Sequence, residues 1–385
     1  ISKSKILAQL NSLSNEYSNN SGLLSLTSFG KNQTAYTYIR EVNFKDSISK
    51  SDIIKGEYQN NKIYIDTSKT KDIYKAVLGN YIISSSEDIV LENIIRDHDL
   101  TNPKIDSDFL KIIKGADTND PFNIFINSKN LNLLKNTISS LSFFTNLKNS
   151  WISYDFKYSL EEIKMLGATR INDSINSKLS ILRNISPSEI KTDKIIPNSF
   201  SSFFSFTISD SERFIFNFKN YLKADDLSTE NVNFESFNLI NEISFVEDQE
   251  KFLILGISNT EQLEDYFKLN DIDNLKDIKK INLGLDLKTL INSFDQKTSF
   301  VYATLIDNSL VITQSVSQIK KIINSKAIKD NLTSNSKYLN YKDQKSKKHS
   351  FFWVNNNSNS MDSNDYPFIG FSGVLNENIA LLDFD

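Results

Sequence analysis

Residues 76–95 read AVLGNYIISSSEDIVLENII, and residues 303–323 read ATLIDNSLVITQSVSQIKKII. Each stretch has an apolar run, a two-residue turn signal, a second apolar run, and then apolar residues at helical spacing. Two strands joined by so short a turn pair in the antiparallel sense. Both stretches therefore predict a hairpin followed by a helix.

The segments around these two stretches match in the same order along the chain. Residues 23–39 correspond to residues 243–257, residues 121–127 to residues 350–355, and residues 150–168 to residues 366–384. The offset is about 220 residues throughout, and several matched segments in one order predict an internal duplication.

The hairpins favour an α+β fold, built as a duplicated unit of mainly antiparallel sheets with helices packed on one face. We expect a first α+β unit over residues 1–115, a second with a central sheet over residues 116–345, and a further, incomplete strand-rich segment over residues 346–385. Residues 201–222 have no counterpart before Ile1, so we expect the first copy to begin upstream and the protein to continue after Asp385.

Helical spacing and turn residues predict the remaining local elements. Helices are predicted over residues 4–17, 87–96, 105–113 and 211–222, and loops over residues 324–337 and 355–364. Ser84, Ser85 or Ser86 is expected to cap the helix that starts at Glu87.

Composition excludes several classes of function. The 385 residues carry 44 basic and 48 acidic side chains, a net charge of -4, and only five of the basic residues are arginines. This balance gives no electrostatic attraction to nucleic acid. The absence of cysteine excludes disulfides, thiolate nucleophiles and cysteine metal sites. No apolar run is long enough to span a bilayer.

Residues for catalysis and cofactor binding are scarce. The two histidines, His98 and His349, stand beside charged residues and are predicted to be exposed loop residues. The chain has no G-x-S-x-G motif and no glycine-rich phosphate loop. We therefore predict a protein that is not an enzyme, with no catalytic, cofactor-binding or metal-binding residues and no cofactor.

Acidic pairs are the strongest remaining candidates for chemistry. The pairs are Glu161-Glu162, Asp225-Asp226, Asp271/Asp273 and Asp362/Asp365. The last two resemble fragments of calcium-binding loops but lack the glycine and closing glutamate of an EF-hand. We interpret all four as solvated turns, with an ion at Asp271/Asp273 or Asp362/Asp365 left open.

Aromatic residues make up 11% of the chain. Clusters occur at Phe143-Phe144, Phe203-Phe204 and Phe351-Phe352-Trp353. They favour core filling over a sugar-stacking platform or a partner-binding surface. Trp151, at the start of a predicted strand, is expected to seal a sheet edge or a seam between domains.

Three segments resemble a family of uncharacterised Bacteroidota cell-envelope proteins, whose domain is of unknown function. They are residues 62–96, residues 122–126 with residues 151–168, and residues 195–222. The resemblance implies a secreted or lipid-anchored outer-membrane protein, in longer members followed by a β-propeller. It implies no functional residues.

Three functions follow as hypotheses. The first is a non-catalytic extracytoplasmic module, in the periplasm or at the outer membrane, that binds or scaffolds other cell-envelope proteins, for example in an outer-membrane assembly or secretion complex. Such a module would make its contacts through an exposed apolar patch or an unpaired sheet edge. The second is a carbohydrate- or calcium-dependent surface-binding protein. The third is a carboxylate-only hydrolase, which requires two facing acids in a cleft and one raised pKa.

Overall fold

The computed structural model describes most of the chain between Gly22 and Phe384. The described residues are 22–29, 33–41, 48, 52–67, 72–100, 105–116, 122–127, 151–158, 163–170, 178–224, 232–273, 275–294, 300–356, 368–375 and 379–384. They divide into two compact units, one that extends to Ser107 and one that starts at Asp108. The predicted helix over residues 4–17, Phe143-Phe144 and two of the acidic pairs, Glu161-Glu162 and Asp225-Asp226, lie outside these residues, as do Asp362 and Asp365.

The first unit is built on a six-stranded antiparallel sheet with the order β1-β2-β6-β5-β4-β3. Its strands are β1 (Gly22–Phe29), β2 (Gln33–Glu41), β3 (Asp52–Tyr58), β4 (Asn61–Asp66), β5 (Ile73–Leu78) and β6 (Tyr81–Ser85), and helix α1 (Asp88–His98) follows. Helix α1 buries Leu91 and Ile95 against Ile63, Ala76 and Ile83 of the sheet. The predicted hairpin-plus-helix of residues 76–95 is therefore confirmed.

Turn chemistry and capping set the ends of these elements. Gly79 adopts φ +59 between β5 and β6, a left-handed conformation that glycine reaches without a Cβ penalty. The predicted serine cap of α1 is wrong, because the N-cap is Glu87 and its side chain makes no capping hydrogen bond. Ser85 Oγ instead accepts the N–H of Glu87 at 3.3 Å, and Glu87 is the residue that precedes the first residue of the helix.

The second unit contains one long antiparallel sheet. Its order is β13-β14-β15-β16-β12-β11-β10-β17-β18-β19-β9-β8-β7. The strands are β7 (Phe122–Asn127), β8 (Trp151–Tyr158), β9 (Ile163–Arg170), β10 (Ser202–Thr207), β11 (Ile240–Glu247), β12 (Lys251–Ile257), β13 (Lys268–Ile272), β14 (Leu275–Asn282), β15 (Tyr302–Ile306), β16 (Ser309–Thr313), β17 (Phe351–Asn356), β18 (Phe368–Leu375) and β19 (Ile379–Phe384). The α+β class and its antiparallel pairing are confirmed.

Six helices complete the described part of the fold. They are α2 (Ser107–Ile113), α3 (Ser211–Ala224), α4 (Leu263–Tyr266), α5 (Leu285–Ser293), α6 (Val316–Ala327) and α7 (Ser336–Asp343). Helix α7 begins inside the predicted loop over residues 324–337. Asn335 starts it, because its side chain accepts the N–H groups of Lys337 and Tyr338.

Helices cover both faces of this sheet, not the one face that the sequence predicted. Phe203 points to the face where it packs with Ile322 of α6 and Tyr338 of α7. Phe206, three residues along the same strand, points to the opposite face and stacks on Phe214 of α3. Because successive strand residues alternate between faces, the phenylalanine-rich β10 needs cover on both sides. The aromatic clusters of β10 and β17 therefore fill the core, as predicted.

The strand orders of the two units correspond. The order β3-β4-β5-β6-β2-β1 in the first unit has the same connectivity as β13-β14-β15-β16-β12-β11 in the second. This is the order that a duplication predicts, and the duplication itself stays a prediction. The predicted domain boundaries at residues 115/116 and 345/346 also stay predictions. Strands β17, β18 and β19 belong to the same sheet as β10.

Gly370 on β18 offers a test of the packing between α7 and the sheet. A Cβ at this position would meet the backbone carbonyl of Trp353 and the hydroxyl of Tyr341. The carbonyl belongs to the paired strand β17 and cannot move aside. We expect Gly370→Ala to lower the free energy of unfolding by about 1–3 kcal/mol in urea denaturation.

Gly56→Ala is the matched control for this substitution. Gly56 also lies in a strand, but a Cβ there has nothing within 4 Å. Alanine at Gly56 is expected to be neutral or slightly stabilising, because it only reduces the freedom of the unfolded chain. Equal effects of the two substitutions would contradict the close approach of α7 to β18.

Candidate functional site

A buried carboxylate, Glu242, organises the polar centre of the second unit. It lies on β11, its residue is 3% exposed, and it receives hydrogen bonds on both oxygens. Oε1 accepts from Thr192 Oγ1 at 2.5 Å and from Ser205 Oγ at 2.9 Å. Oε2 accepts the backbone N–H of Lys191 at 2.8 Å. Glu242 thus holds residues 191–192 against the sheet.

The protonation of Glu242 reflects opposing effects. Burial raises the pKa of this carboxyl above its usual value, because the charged form loses hydration. Hydrogen bonds from Thr192, Lys191 and Ser205 lower the pKa in part, and the nearby Asp193 raises it further. A raised pKa in a carboxyl beside a second acid is one feature that the hydrolase hypothesis requires.

The second acid, Asp193, binds helix α7 through one of its two carboxylate oxygens, while its buried Oδ1 has no hydrogen-bond partner among the described residues. Its Oδ2 accepts from Tyr338 OH at 3.0 Å and from Lys342 Nζ at 2.6 Å. Lys342 also donates to the backbone carbonyl of Ile190 at 3.2 Å. The Asp193 side chain has no exposed area. We name Thr192, Asp193, Glu242, Tyr338 and Lys342 the polar seam.

The polar seam is better suited to joining elements than to catalysis. Its two acids belong to different partners: Glu242 binds hydroxyl and backbone donors, while Asp193 forms an ion pair with Lys342. Both carboxylates are buried, so neither presents an oxygen to a substrate in solution. A hydrolase dyad needs room for a substrate between its acids. The seam therefore connects β11, residues 190–196 and α7.

His349 lies in the core of the second unit, and the prediction of an exposed loop residue is wrong for it. The residue is 1% exposed, its ring lies 5.0 Å from that of Phe352, and neither ring nitrogen has a hydrogen-bond partner among the described residues. Burial lowers the pKa of His349 to about 4, and the positive charges of Lys342 and Lys345 add to this effect, while Asp383 opposes it. His98, the other histidine, is exposed at the end of α1, as predicted.

A buried ion pair lies near His349. Lys345 Nζ donates to Asp383 Oδ1 on β19 at 2.9 Å, and the lysine side chain has no exposed area. The same ammonium lies 5.6 Å from the centre of the Tyr341 ring. The ion pair therefore links the segment after α7 to β19, the strand that lies between β18 and β9 in the sheet.

The first unit has its own buried charges. Lys75 on β5 donates to Asp66 Oδ2 at 2.8 Å and to Asp52 Oδ1 at 3.0 Å. Burial alone would lower the pKa of Lys75, but the two carboxylates outweigh it and raise that pKa. The triad links β3, β4 and β5 across the sheet and leaves the lysine charged.

Ion binding at Asp271/Asp273, which the sequence left open, gains no support from the geometry. The Asp271 side chain is 91% exposed, and the nearest cation is Lys279, whose Nζ lies 3.7 Å from its Oδ1. Asp273 is also exposed. Within the described ranges, no three histidine or acidic side chains cluster in a way that could hold a metal ion. Asp362 and Asp365 lie outside these ranges.

Neither tryptophan forms a sugar platform. Trp353 on β17 is 7% exposed. Trp151 begins β8, as predicted, and its ring packs against Phe109 of α2 at 4.5 Å. Phe109 also meets Phe125 edge-on, and Arg170 anchors the same helix through Asp108 at 2.9 Å. These aromatic rings hold α2 on the sheet.

The two outermost described strands of the first unit expose apolar side chains. Strand β1 is the last described strand on one side of the six-stranded sheet. It contains no charged residue, and its Leu23 is 53% exposed and its Leu26 49% exposed. Strand β3 ends the other side, with Ile53 and Ile54 more than half exposed. Apolar side chains on an open edge are typical of surfaces that bind another chain.

Comparisons with models of protein families, with curated proteins and with solved structures found no match to this chain. In the described part of the chain, no helix is both long and apolar enough to cross a membrane.

Proposed function

We propose that this protein is a non-catalytic extracytoplasmic module that binds or scaffolds other proteins of the bacterial cell envelope. The observation that supports this proposal is the outer edge of β1, which no described strand pairs with and which has half-exposed Leu23 and Leu26 and no charged residue. Natural edge strands usually carry charges or prolines that prevent pairing with another chain. An edge without them is suited to protein contacts.

The buried ionisable groups support the same proposal. The Glu242 carboxylate, the Asp193–Lys342 pair and the Lys75 triad are each engaged with partners inside the fold. Their chemistry is directed to holding elements together. In the part of the chain that the structure describes, the exposed apolar strand edges remain as the surface for function, which agrees with a binding or scaffolding role. The envelope location comes from the family resemblance of residues 62–96, 122–126 with 151–168, and 195–222.

Site-specific photo-crosslinking in the native bacterium tests the proposal. A photoreactive amino acid at Leu26 should crosslink to envelope proteins in the membrane or periplasmic fraction. The control is the same amino acid at Asn270, an exposed residue on the edge strand β13, which carries Lys268 and Asp271. Crosslinks from neither position, or recovery of the protein only in the cytoplasm, would contradict the proposal.

A further inference from the structure

The two sheets place their outer strands in equivalent positions. Hairpin β5–β6 precedes α1, which packs on both strands, and hairpin β15–β16 precedes α6, which packs in the same way. In each sheet the second hairpin strand pairs with the next strand inward, β6 with β2 and β16 with β12. Strand β1 then follows β2 as β11 follows β12. Strand β1 is therefore the equivalent of β11.

The two equivalent strands differ on their outer side. Strand β11 pairs there with β10 in antiparallel register, with Phe204 opposite Phe245 and Phe206 opposite Ile243. Among the strands that the structure describes, none pairs with β1 on the side away from β2. The first sheet thus ends at the position where the second sheet continues.

The side chains of β1 favour pairing with another strand. Its sequence is GLLSLTSF, with eight residues and neither charge nor proline. The opposite edge strand β3 contains Asp52, Lys55 and Glu57, and Lys55 forms an ion pair with Asp88 of α1. Charges of this kind discourage the addition of another strand. Only β1 of these two edges lacks that protection.

The occupant of the equivalent position indicates what β1 would accept. Strand β10 reads SFFSFT, an uncharged segment in which serine and threonine alternate with phenylalanine. Backbone hydrogen bonds supply the affinity of such an added strand, and side chains on its two faces supply specificity. An uncharged partner segment suits β1, because a charged one would lose hydration against Leu24 and Leu26.

We propose that β1 binds an uncharged, phenylalanine- and serine-rich extended segment of a partner protein, which adds to the sheet as an antiparallel strand. This inference rests on the proposed contact function and specifies how the contact is made. The partner segment would extend the six-stranded sheet by one strand, in the position that β10 occupies beside β11.

The direct test uses a peptide with the sequence of residues 202–207, joined to an uncharged hydrophilic tail and a fluorophore. Binding to the 385-residue protein is followed by fluorescence anisotropy. We expect Leu26→Lys to weaken binding by roughly tenfold or more, equivalent to about 1.4 kcal/mol, since it places a charge on the edge. Ile53→Lys, an equal change at the opposite edge, should leave the affinity unchanged.

Peptide backbone methylation distinguishes strand addition from other apolar binding. Two peptides carry N-methyl groups on alternate residues, so that each blocks the donors on one side of the strand. Binding should be lost with one pattern and kept with the other, because only one side faces β1. Equal behaviour of the two peptides, or equal effects of Leu26→Lys and Ile53→Lys, would overturn the inference. So would the absence of peptide binding, which is the result expected if a segment of this chain, such as the counterpart of residues 201–222, already pairs with β1. If crosslinks from Leu26 persist in that case, the contact function stands and only strand addition fails.

Discussion

Replacement of Glu242 by alanine is expected to lower the free energy of unfolding by roughly 2–4 kcal/mol. The substitution removes the acceptors of the Lys191 and Thr192 backbone N–H groups and of the Thr192 and Ser205 hydroxyls. Buried donors left without partners cost more than the hydrogen bond itself contributes. Urea denaturation at pH 7 measures the effect, with thermal unfolding as a second measurement.

Glu242→Gln is the informative companion variant. Its amide oxygen keeps the two backbone N–H groups, while its NH₂ group donates to Thr192 Oγ1 and Ser205 Oγ, which can turn to accept. We therefore expect glutamine to retain most of the stability that alanine loses. If the two variants lose the same stability, Glu242 does not hold residues 191–192 as described.

Glu242→Gln is also expected to change how the stability depends on pH. Because the pKa of Glu242 is raised in the folded state, the folded protein retains the proton more strongly than the unfolded chain does. Stability therefore falls as the pH rises from the ordinary glutamate pKa through the raised one. Glu242→Gln should remove this decline, and a stability profile with an unchanged slope would show that Glu242 does not titrate in this way.

Acidification is expected to destabilise the protein through His349 by about 3 kcal/mol. The pKa of this histidine is about 4 in the folded protein, against 6.5 for an ordinary histidine, which the unfolded chain has. Its contribution is fully present above pH 6.5 and is lost as the pH falls toward 4, because the unfolded chain takes up the proton first. Urea denaturation between pH 7.5 and pH 4 measures the decline.

His349→Leu is expected to reduce the loss of stability between pH 7.5 and pH 4. It places an apolar side chain of similar volume beside Phe352 and removes a ring whose nitrogens have no hydrogen-bond partner within the described part of the chain. The matched control is His98→Asn, since His98 is the other of the two histidines and its side chain is 55% exposed. A wild-type slope in His349→Leu, or an equal loss of slope in His98→Asn, would contradict the assignment.

The local sequence pattern was sufficient to predict the hairpins and most of the described helices. The runs on either side of Gly79-Asn80 and Asp307-Asn308 form the predicted strands, because their apolar residues and turn residues act over a few positions. Matched segment order also led to the prediction of equivalent units, and the strand orders correspond. These features depend on neighbours in sequence, which a single chain displays directly.

The polar seam and His349 could not be predicted in the same way. Most of the hydrogen-bond donors to Glu242 lie 37–51 positions away in the sequence, and the burial of His349 depends on the folded core around it. The flanking Lys347 and Lys348 suggested that His349 is exposed; both lysines are exposed, but His349 beside them lies in the core. One signal was available: Glu242 interrupts the apolar alternation of β11, where a buried acid must find partners.

The pairing of β9 with β19 has a consequence for the order of events during synthesis. Residues 163–170 emerge from the ribosome long before residues 379–384, which form the strand beside them. Until residues 379–384 are synthesised, the edge of β9 that will pair with β19 is unpaired, and the apolar Leu166 lies on that strand. Contacts so distant in sequence form slowly. We expect the β7–β8–β9 meander to be the part of the nascent chain that depends most on chaperone protection.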